Sequence, residues 1–166
     1  MKLFIPLFVF TLSIFNACTN DVDESKILQA NFDTTTEAMS DEAAVKAAAM
    51  DYIECFYDAD TSKAYRSVSP LLQKRGYGYS KKKNKYSDQY EMSFDQLISL
   101  VKKWNADGSR TTDKSPKKVE VFEILDKTAS AKVYAEWGTD YLHLSKIDGK
   151  WWVMNVLWQS YPPENK

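Results

Sequence analysis

Asp140 is an acid in apolar company. It shares a strand face with Leu142 and Leu144 in the run Thr139-Asp140-Tyr141-Leu142-His143-Leu144, while Tyr141 and His143 point the other way. A carboxylate on an apolar face is costly to bury unless it is paired. Such a position is either at a wet rim of the sheet or inside a cavity with chemistry to do. Glu123, on one face with Val121 and Leu125, is the other acid of this kind. Two carboxylates in one cavity would not ionise easily together, and the expected place for Glu123 is a sheet edge in water. Tyr52 sits on the apolar side of a helical stretch, where a phenol serves as a core tyrosine or as a donor to a pocket. The remaining reactive residue types are sparse. His143 is the single histidine, and one histidine among scattered acids makes no metal-ligand spacing. Cys55 reads as a small core-flanking hydrophobe. No metal and no cofactor is expected.

The elements that must position these residues are legible from their periods. From Val45, apolar residues recur through Ala48, Ala49, Tyr52, Ile53, Phe56 and Tyr57 with the rhythm of an amphipathic helix, and Ser40 or Asp41 is available as N-cap. Asp60 and Thr61 can cap a short second helix through Ala64, Tyr65 and Val68, stopped by Pro70. Ser93-x-x-Gln96 is a capping box for a third helix with a stripe of Phe94, Leu97, Ile98, Val101 and Trp104. After Pro116 the period falls to two. Lys118 to Leu125 and Ala129 to Trp137 alternate as strands, and Thr139 to Trp158 reads as a hairpin around Asp148-Gly149, giving at least four antiparallel strands. Between the second and third helices, Leu71 to Tyr90 suggests a strand and a basic loop, with Lys74, Arg75, Lys81, Lys82, Lys83, Lys85 and four tyrosines. That loop is either solvated over a sheet edge or in contact with anionic lipid head groups.

Strand parity in the last hairpin puts Trp152 and Trp158 with Met154 and Val156 toward the helices, and Trp151 with Val153, Asn155 and Leu157 on the outer face. With Tyr141, that outer face would be a large apolar aromatic patch, a surface suited to a homodimer. Trp104 and Trp137 are candidates for a cavity mouth or for the core.

The chain opens on an address. Lys2 followed by the apolar run Leu3 to Phe15 matches a secretory signal and is too short to span a bilayer. Ala17-Cys18 then resembles a bacterial lipobox, which implies lipidation of Cys18 after removal of residues 1–17; a plain signal-peptidase site is the alternative, though Phe15 sits where such a site wants a small residue. Residues 18–39 are polar, include Asp21, Asp23 and Glu24, and read as a flexible tether. One domain follows over 40–160, with a short tail over 161–166. The expected location is exported and membrane-anchored, facing the periplasm or the cell surface. Lysine and arginine number 22 against 23 acids, so no global field recruits nucleic acid.

The order of elements, the helix segment Asp51-Tyr52-Ile53-Glu54-Cys55-Phe56-Tyr57-Asp58-Ala59-Asp60, and the closing Asp140-Tyr141-Leu142-His143-Leu144 with Asp148-Gly149-Lys150-Trp151-Trp152 resemble the putative lumazine-binding family of the nuclear transport factor 2-like superfamily. The resemblance spans roughly Asp41 to Trp158. It implies an α+β, cone-shaped barrel in which three N-terminal helices pack on a curved antiparallel sheet. Members of the family often place a histidine before the proline that ends the second helix; this chain has Ser69-Pro70.

Within the superfamily, comparison with the ketosteroid isomerases puts Tyr52 and Asp140 at their oxyanion-hole tyrosine and aspartic acid, with Trp158 at a pocket aromatic. Such a pair of neutral donors stabilises a developing enolate. The isomerases' carboxylate base would fall around Lys74 to Gly76, where no acid occurs, so donors without a base bind a carbonyl or carboxylate and do not isomerise it. The leading expectation is a pocket for a small apolar or aromatic ligand contacted by Tyr52, Asp140 and Trp158, with Tyr57 and Trp104 as further contacts. The alternatives are an isomerase, cyclase or dehydratase using Asp140 as acid or base and Tyr52 as donor, and an interaction module acting through its outer face.

Overall fold

The computed structural model describes residues 39–162. The signal segment 1–17, Cys18, the tether up to residue 38 and the last four residues of the tail lie outside the described residues.

Three helices form where the caps allow. In α1 (Asp41–Tyr57) the Ser40 hydroxyl accepts from the Ala43 amide at 3.2 Å, and Asp58 closes the last turn by donating its amide to the Glu54 carbonyl at 2.9 Å. In α2 (Thr61–Ser67) the Asp60 carboxylate accepts from the Ser62 amide at 2.8 Å. This helix stops one residue short of the expected Val68, which already has extended backbone and opens a strand. In α3 (Phe94–Trp104) the capping box is complete, with Ser93 and Gln96 each satisfying the other's backbone amide.

The strands are β1 (Val68–Tyr77), the small hairpin pair β2 (Tyr79–Ser80) and β3 (Lys85–Tyr86), then β4 (Tyr90–Met92), β5 (Lys118–Ile124), β6 (Thr128–Ala135), β7 (Gly138–Ile147) and β8 (Lys150–Ser160). The main sheet has six strands in the order β4-β1-β8-β7-β6-β5. β5 to β8 form the expected antiparallel meander. The turn at Asp148 and Gly149 has φ of +50° and +78°, the left-handed pair that matches the twist of a two-residue hairpin. The stretch that sequence periodicity leaves half-read becomes β1, which pairs in parallel with β8 and carries β4 on its other side. The sheet is therefore mixed, not purely antiparallel, and β8 lies at its centre between β1 and β7.

The core lies between the helices and the inner face of this sheet. Val45, Ala49 and Ile53 of α1 and Leu97 and Val101 of α3 are fully buried with Val133, Leu142 and Val153 of the sheet. Burial of the valine, leucine and isoleucine side chains among these stabilises the fold by roughly 1.5–3 kcal/mol each.

Breaks in strand register decide which residues face that core. The β7–β8 register runs His143↔Asn155 and then Leu144↔Val153, leaving Met154 as the extra residue; β5 has the same irregularity at Phe122. A bulge reverses the alternation of the strand that carries it. Before Met154, Trp151 and Val153 point into the core; after it, Val156 and Trp158 do. Strict parity across β8 therefore misplaces Trp151 and Val153, which are buried and not on the outer face. Trp151 donates its indole N–H to Asp41 Oδ1 at 2.9 Å, beside the Lys146 ammonium at 2.7 Å, and these donors hold the Asp41 carboxyl below its ordinary range. The outer face keeps Tyr141 and Leu157, cross-strand partners each about half exposed, and exposed His143.

Candidate binding site beside a buried lysine

Tyr52 and Asp140, on α1 and β7, are both fully buried. They meet directly: the Tyr52 hydroxyl donates to Asp140 Oδ2. Between them stands Lys74 of β1, only 5% exposed, its ammonium donating to Asp140 Oδ2 at 2.9 Å and to Tyr52 Oη at 2.5 Å. Asp140 Oδ1 accepts from the indole N–H of Trp137 at 2.7 Å. Trp137 lies in the two-residue turn that joins β6 to β7, so its ring can fold back over the start of β7.

This arrangement answers the cost of burying Asp140. Both carboxylate oxygens are engaged, one by an indole and the other by a phenol and an ammonium. Each buried polar group in the cluster has a partner among the described residues. Burial, followed by the charge of Asp140 and the hydrogen bond to it, raises the Tyr52 phenol well above its ordinary value, so Tyr52 remains a neutral donor. The geometry differs from two parallel donors aimed at a ligand oxygen. Tyr52 spends its proton on Asp140, and Asp140 is an acceptor only. The donor left over belongs to Lys74, whose ammonium has three N–H groups and uses two inside the cluster.

Lys74 also forms part of the wall of a pocket of about 100 Å³, lined otherwise by Phe56, Met92, Leu100, Trp104, Trp137 and Trp158. The lysine is the sole charged residue in that lining. Its ammonium lies 5.5 Å from the ring centre of Trp158 and 5.2 Å from that of Tyr52, within cation–π range. Phe56, Trp104 and Trp137 pack edge to face with centroids 5.0–6.2 Å apart and hold that wall together. Trp158 is fixed from behind by Gly76, its partner across the β1–β8 pairing. A Cβ on Gly76 would lie 2.2 Å from the Trp158 carbonyl oxygen and 2.3 Å from its indole Cδ1.

The residues expected at the site fall into three groups. Trp158 and Trp104 line the pocket. Tyr52 and Asp140 stand behind it and reach it through Lys74 and Trp137. Tyr57 is set apart: it stacks on Trp104 with centroids 5.9 Å apart, donates to the Pro116 carbonyl at 2.5 Å and accepts from the Glu136 amide at 2.8 Å. Burial pushes its phenol up to about 12. Glu123 is exposed on β5, beyond the bulge and away from Asp140. Cys55 is buried with its thiol on the Tyr52 carbonyl at 3.1 Å, and burial pushes that thiol up. Among the described residues no cluster of His, Cys, Asp and Glu could hold a metal ion.

Lys74 is the residue that sequence reasoning passes over. The signal was present: Leu72, Lys74 and Gly76 share one strand parity, and β1 alternates buried and exposed from Leu72 to Tyr77. A lysine inside a basic run reads as solvent-exposed, and the need of Asp140 for a buried cation was the clue that could have corrected it.

With the site in view, comparison places the chain. The model of the family described as putative lumazine-binding matches residues 40–159, nearly every residue described. The chain belongs to that family. Solved structures agree on the fold of this putative lumazine-binding domain. An NTF2-like protein of unknown function from Silicibacter pomeroyi DSS-3 is 14% identical with a TM-score of 0.55, covering 72% of this chain and 95% of its own. An NTF2-like protein from Cytophaga hutchinsonii is 10% identical with a TM-score of 0.50, over 74% of this chain and 100% of its own. One of unknown function from Methylobacillus flagellatus KT is 16% identical at a TM-score of 0.50, over 75% and 96%. The expected nuclear transport factor 2-like α+β fold is thereby shown. A search of curated proteins finds no match.

Proposed function

We propose that this domain binds a small, largely apolar or aromatic molecule in the pocket beside Lys74, as part of an exported protein anchored through a lipidated Cys18. The observation that carries the reading is one cationic donor in an otherwise apolar, aromatic wall. Pockets that discriminate among ligands commonly have this composition, apolar lining with a few placed polar groups. The family description, putative lumazine-binding, points to the same class of activity.

The pocket volume bounds the ligand. A cavity of roughly 150 Å³ accommodates a benzene ring, and the pocket here is about 100 Å³. At that size it takes a short branched group or the edge of a ring as it stands, and a whole ring or a fused bicyclic molecule requires Trp104 or Trp158 to swing aside. The ligand needs one acceptor atom for the third N–H of Lys74.

The alternative of an isomerase, cyclase or dehydratase asks Asp140 to exchange protons with substrate. The carboxylate is held by three donors and separated from the pocket by Lys74 and Trp137, so the geometry favours binding. A second copy of the chain is the proposed partner for the outer face around Tyr141 and Leu157.

Native mass spectrometry of protein purified from its own source tests the binding reading. A retained small molecule, lost in Trp158→Ala while the protein stays folded, is the expected result. A spectrum of bare protein, with tryptophan fluorescence indifferent to a panel of single-ring carbonyl compounds, would sink it. For the anchor, Cys18→Ala should release the protein into the soluble fraction.

A further inference from the structure

The small hairpin between β1 and β4 carries lysines that form no ion pair among the described residues. Lys81, Lys82, Lys83 and Lys85 lie at or beside its tip and are exposed; among the described residues none of the four has an ion-pair partner within the salt-bridge distances observed elsewhere in the fold. Between Arg75 and Met92 the sequence holds five basic and two acidic residues, in a chain whose overall balance is −1. Glu91 is already occupied by Arg75 at 3.1 Å, which leaves Asp88 as the nearby acid. The positive charge is therefore concentrated at one projecting end of the domain.

Tyrosines accompany it. Tyr77 and Tyr90, at the base of the hairpin, are 37% and 56% exposed. The hairpin itself is well braced. The Tyr79 and Tyr86 rings pack edge to face at 5.2 Å, the Tyr79 amide donates to Ser160 Oγ at 2.6 Å, and the Gln159 side-chain amide donates to Tyr86 Oη at 2.9 Å. A braced turn of lysines with amphipathic tyrosine rings at its shoulders has the composition that suits the boundary between lipid head groups and water.

We infer that the Lys81–Lys85 hairpin is a docking surface for anionic phospholipid. The opposite charge of the lipid selects this occupant, and, resting on the proposed lipidation of Cys18, twenty residues of chain separate that anchor from the first described residue. Docking this way orients the binding pocket. A Cβ on Gly78, at the root of the hairpin, would be 3.6 Å from the Trp158 ring and 3.7 Å from Tyr90, so the pocket wall and the docking surface share one end of the sheet. The inference stands apart from the pocket reading, since lipid binding does not require a ligand.

The test uses the chain from Thr19 to Lys166, which has no acyl group, in co-sedimentation with vesicles of phosphatidylcholine alone and of phosphatidylcholine mixed with phosphatidylglycerol. Binding to the mixed vesicles is expected, weakening as salt shortens the screening length from about 10 Å. Replacing all four lysines by glutamine should lower affinity by about 600-fold, at about fivefold for each lysine near the surface. Replacing all four by arginine should retain binding. Equal binding to both vesicle types, no loss in the glutamine variant, or retention on heparin without retention on vesicles would overturn the assignment. Circular dichroism of the glutamine variant shows that any loss is not unfolding.

Discussion

Removing both partners of the buried Lys74–Asp140 pair should cost little more than removing either one. The Asp140 carboxylate is fully buried and Lys74 is 5% exposed, so neither finds water if the other is lost. In Asp140→Asn the Lys74 ammonium keeps its place without a counter-charge, and the new amide presents a donor where three donors already converge. Breaking a buried pair in this way costs about 3–5 kcal/mol. Lys74→Met leaves Asp140 with the Tyr52 and Trp137 donors but no cation, at a similar cost. For a domain whose total stability is of the order of 5–15 kcal/mol, either change removes a large share. With a urea slope of about 1–3 kcal/mol per molar, the midpoint should fall by roughly 2 M. The double variant Lys74→Met/Asp140→Asn has no unpaired charge and should cost about as much as one single change. Urea titration of the four proteins at pH 7 gives the coupling directly, with an expected value of at least 2 kcal/mol. Additivity to within about 0.5 kcal/mol, or single changes costing less than 1 kcal/mol, would refute the claim that these two charges depend on each other.

Other outcomes follow from the same contacts. Gly76→Ala should destabilise the domain by about 1–3 kcal/mol and alter tryptophan fluorescence, because its Cβ would strike the Trp158 backbone and ring; an unperturbed spectrum would show that β1 and β8 can part without cost. Cys55 should resist a thiol reagent in the native state and react only on unfolding, as its thiol is buried and hard to ionise. On the alkaline side, the raised phenol of Tyr52 means stability is fully present below the ordinary tyrosine range and lost as pH climbs above it, since the unfolded chain ionises first. Tyr52→Phe should therefore flatten the alkaline limb of a stability–pH curve measured by chemical denaturation. On the acid side the sign reverses: Asp41, Glu54 and Asp60 are held below their ordinary values by Lys146, by Lys63 and Lys117, and by Ser62, so stability falls as these carboxylates protonate. Leu157→Glu tests self-association through the outer face by light scattering: a dimer reduced to monomer supports it, and an unchanged mass does not.

Much of the architecture was legible because its signals are local. Ser40, Asp60 and the Ser93/Gln96 box mark helix starts through hydrogen bonds made within a few residues, and Asp148-Gly149 marks a turn through backbone geometry. The inward placement of Asp140, Leu142 and Leu144 and the outward placement of Tyr141 and His143 follow from alternation over a stretch with no bulge. What was not legible depends on distant partners. The parallel pairing of β1 with β8 joins segments some eighty residues apart, and no turn signal announces it. Lys74 looks like one more surface lysine until the strand that carries it is placed against Asp140 and Tyr52. Trp151 was misread because alternation counts positions and cannot see an extra residue.

That extra residue, Met154, divides β8 into two independent half-strands. The first half braces the start of α1 through Trp151 and Asp41; the second supplies Trp158 to the pocket. Loss of a single residue at this point would turn one half inside out relative to the other without changing the hydrophobic content of the strand. Relatives could thus acquire or lose an aromatic pocket wall by an insertion or deletion of one position, with the helix brace left untouched. Alignments that slide a gap past Met154 would equate a residue of the core with one of the outer surface, and ligand contacts transferred across such a gap would land on the wrong face of the sheet.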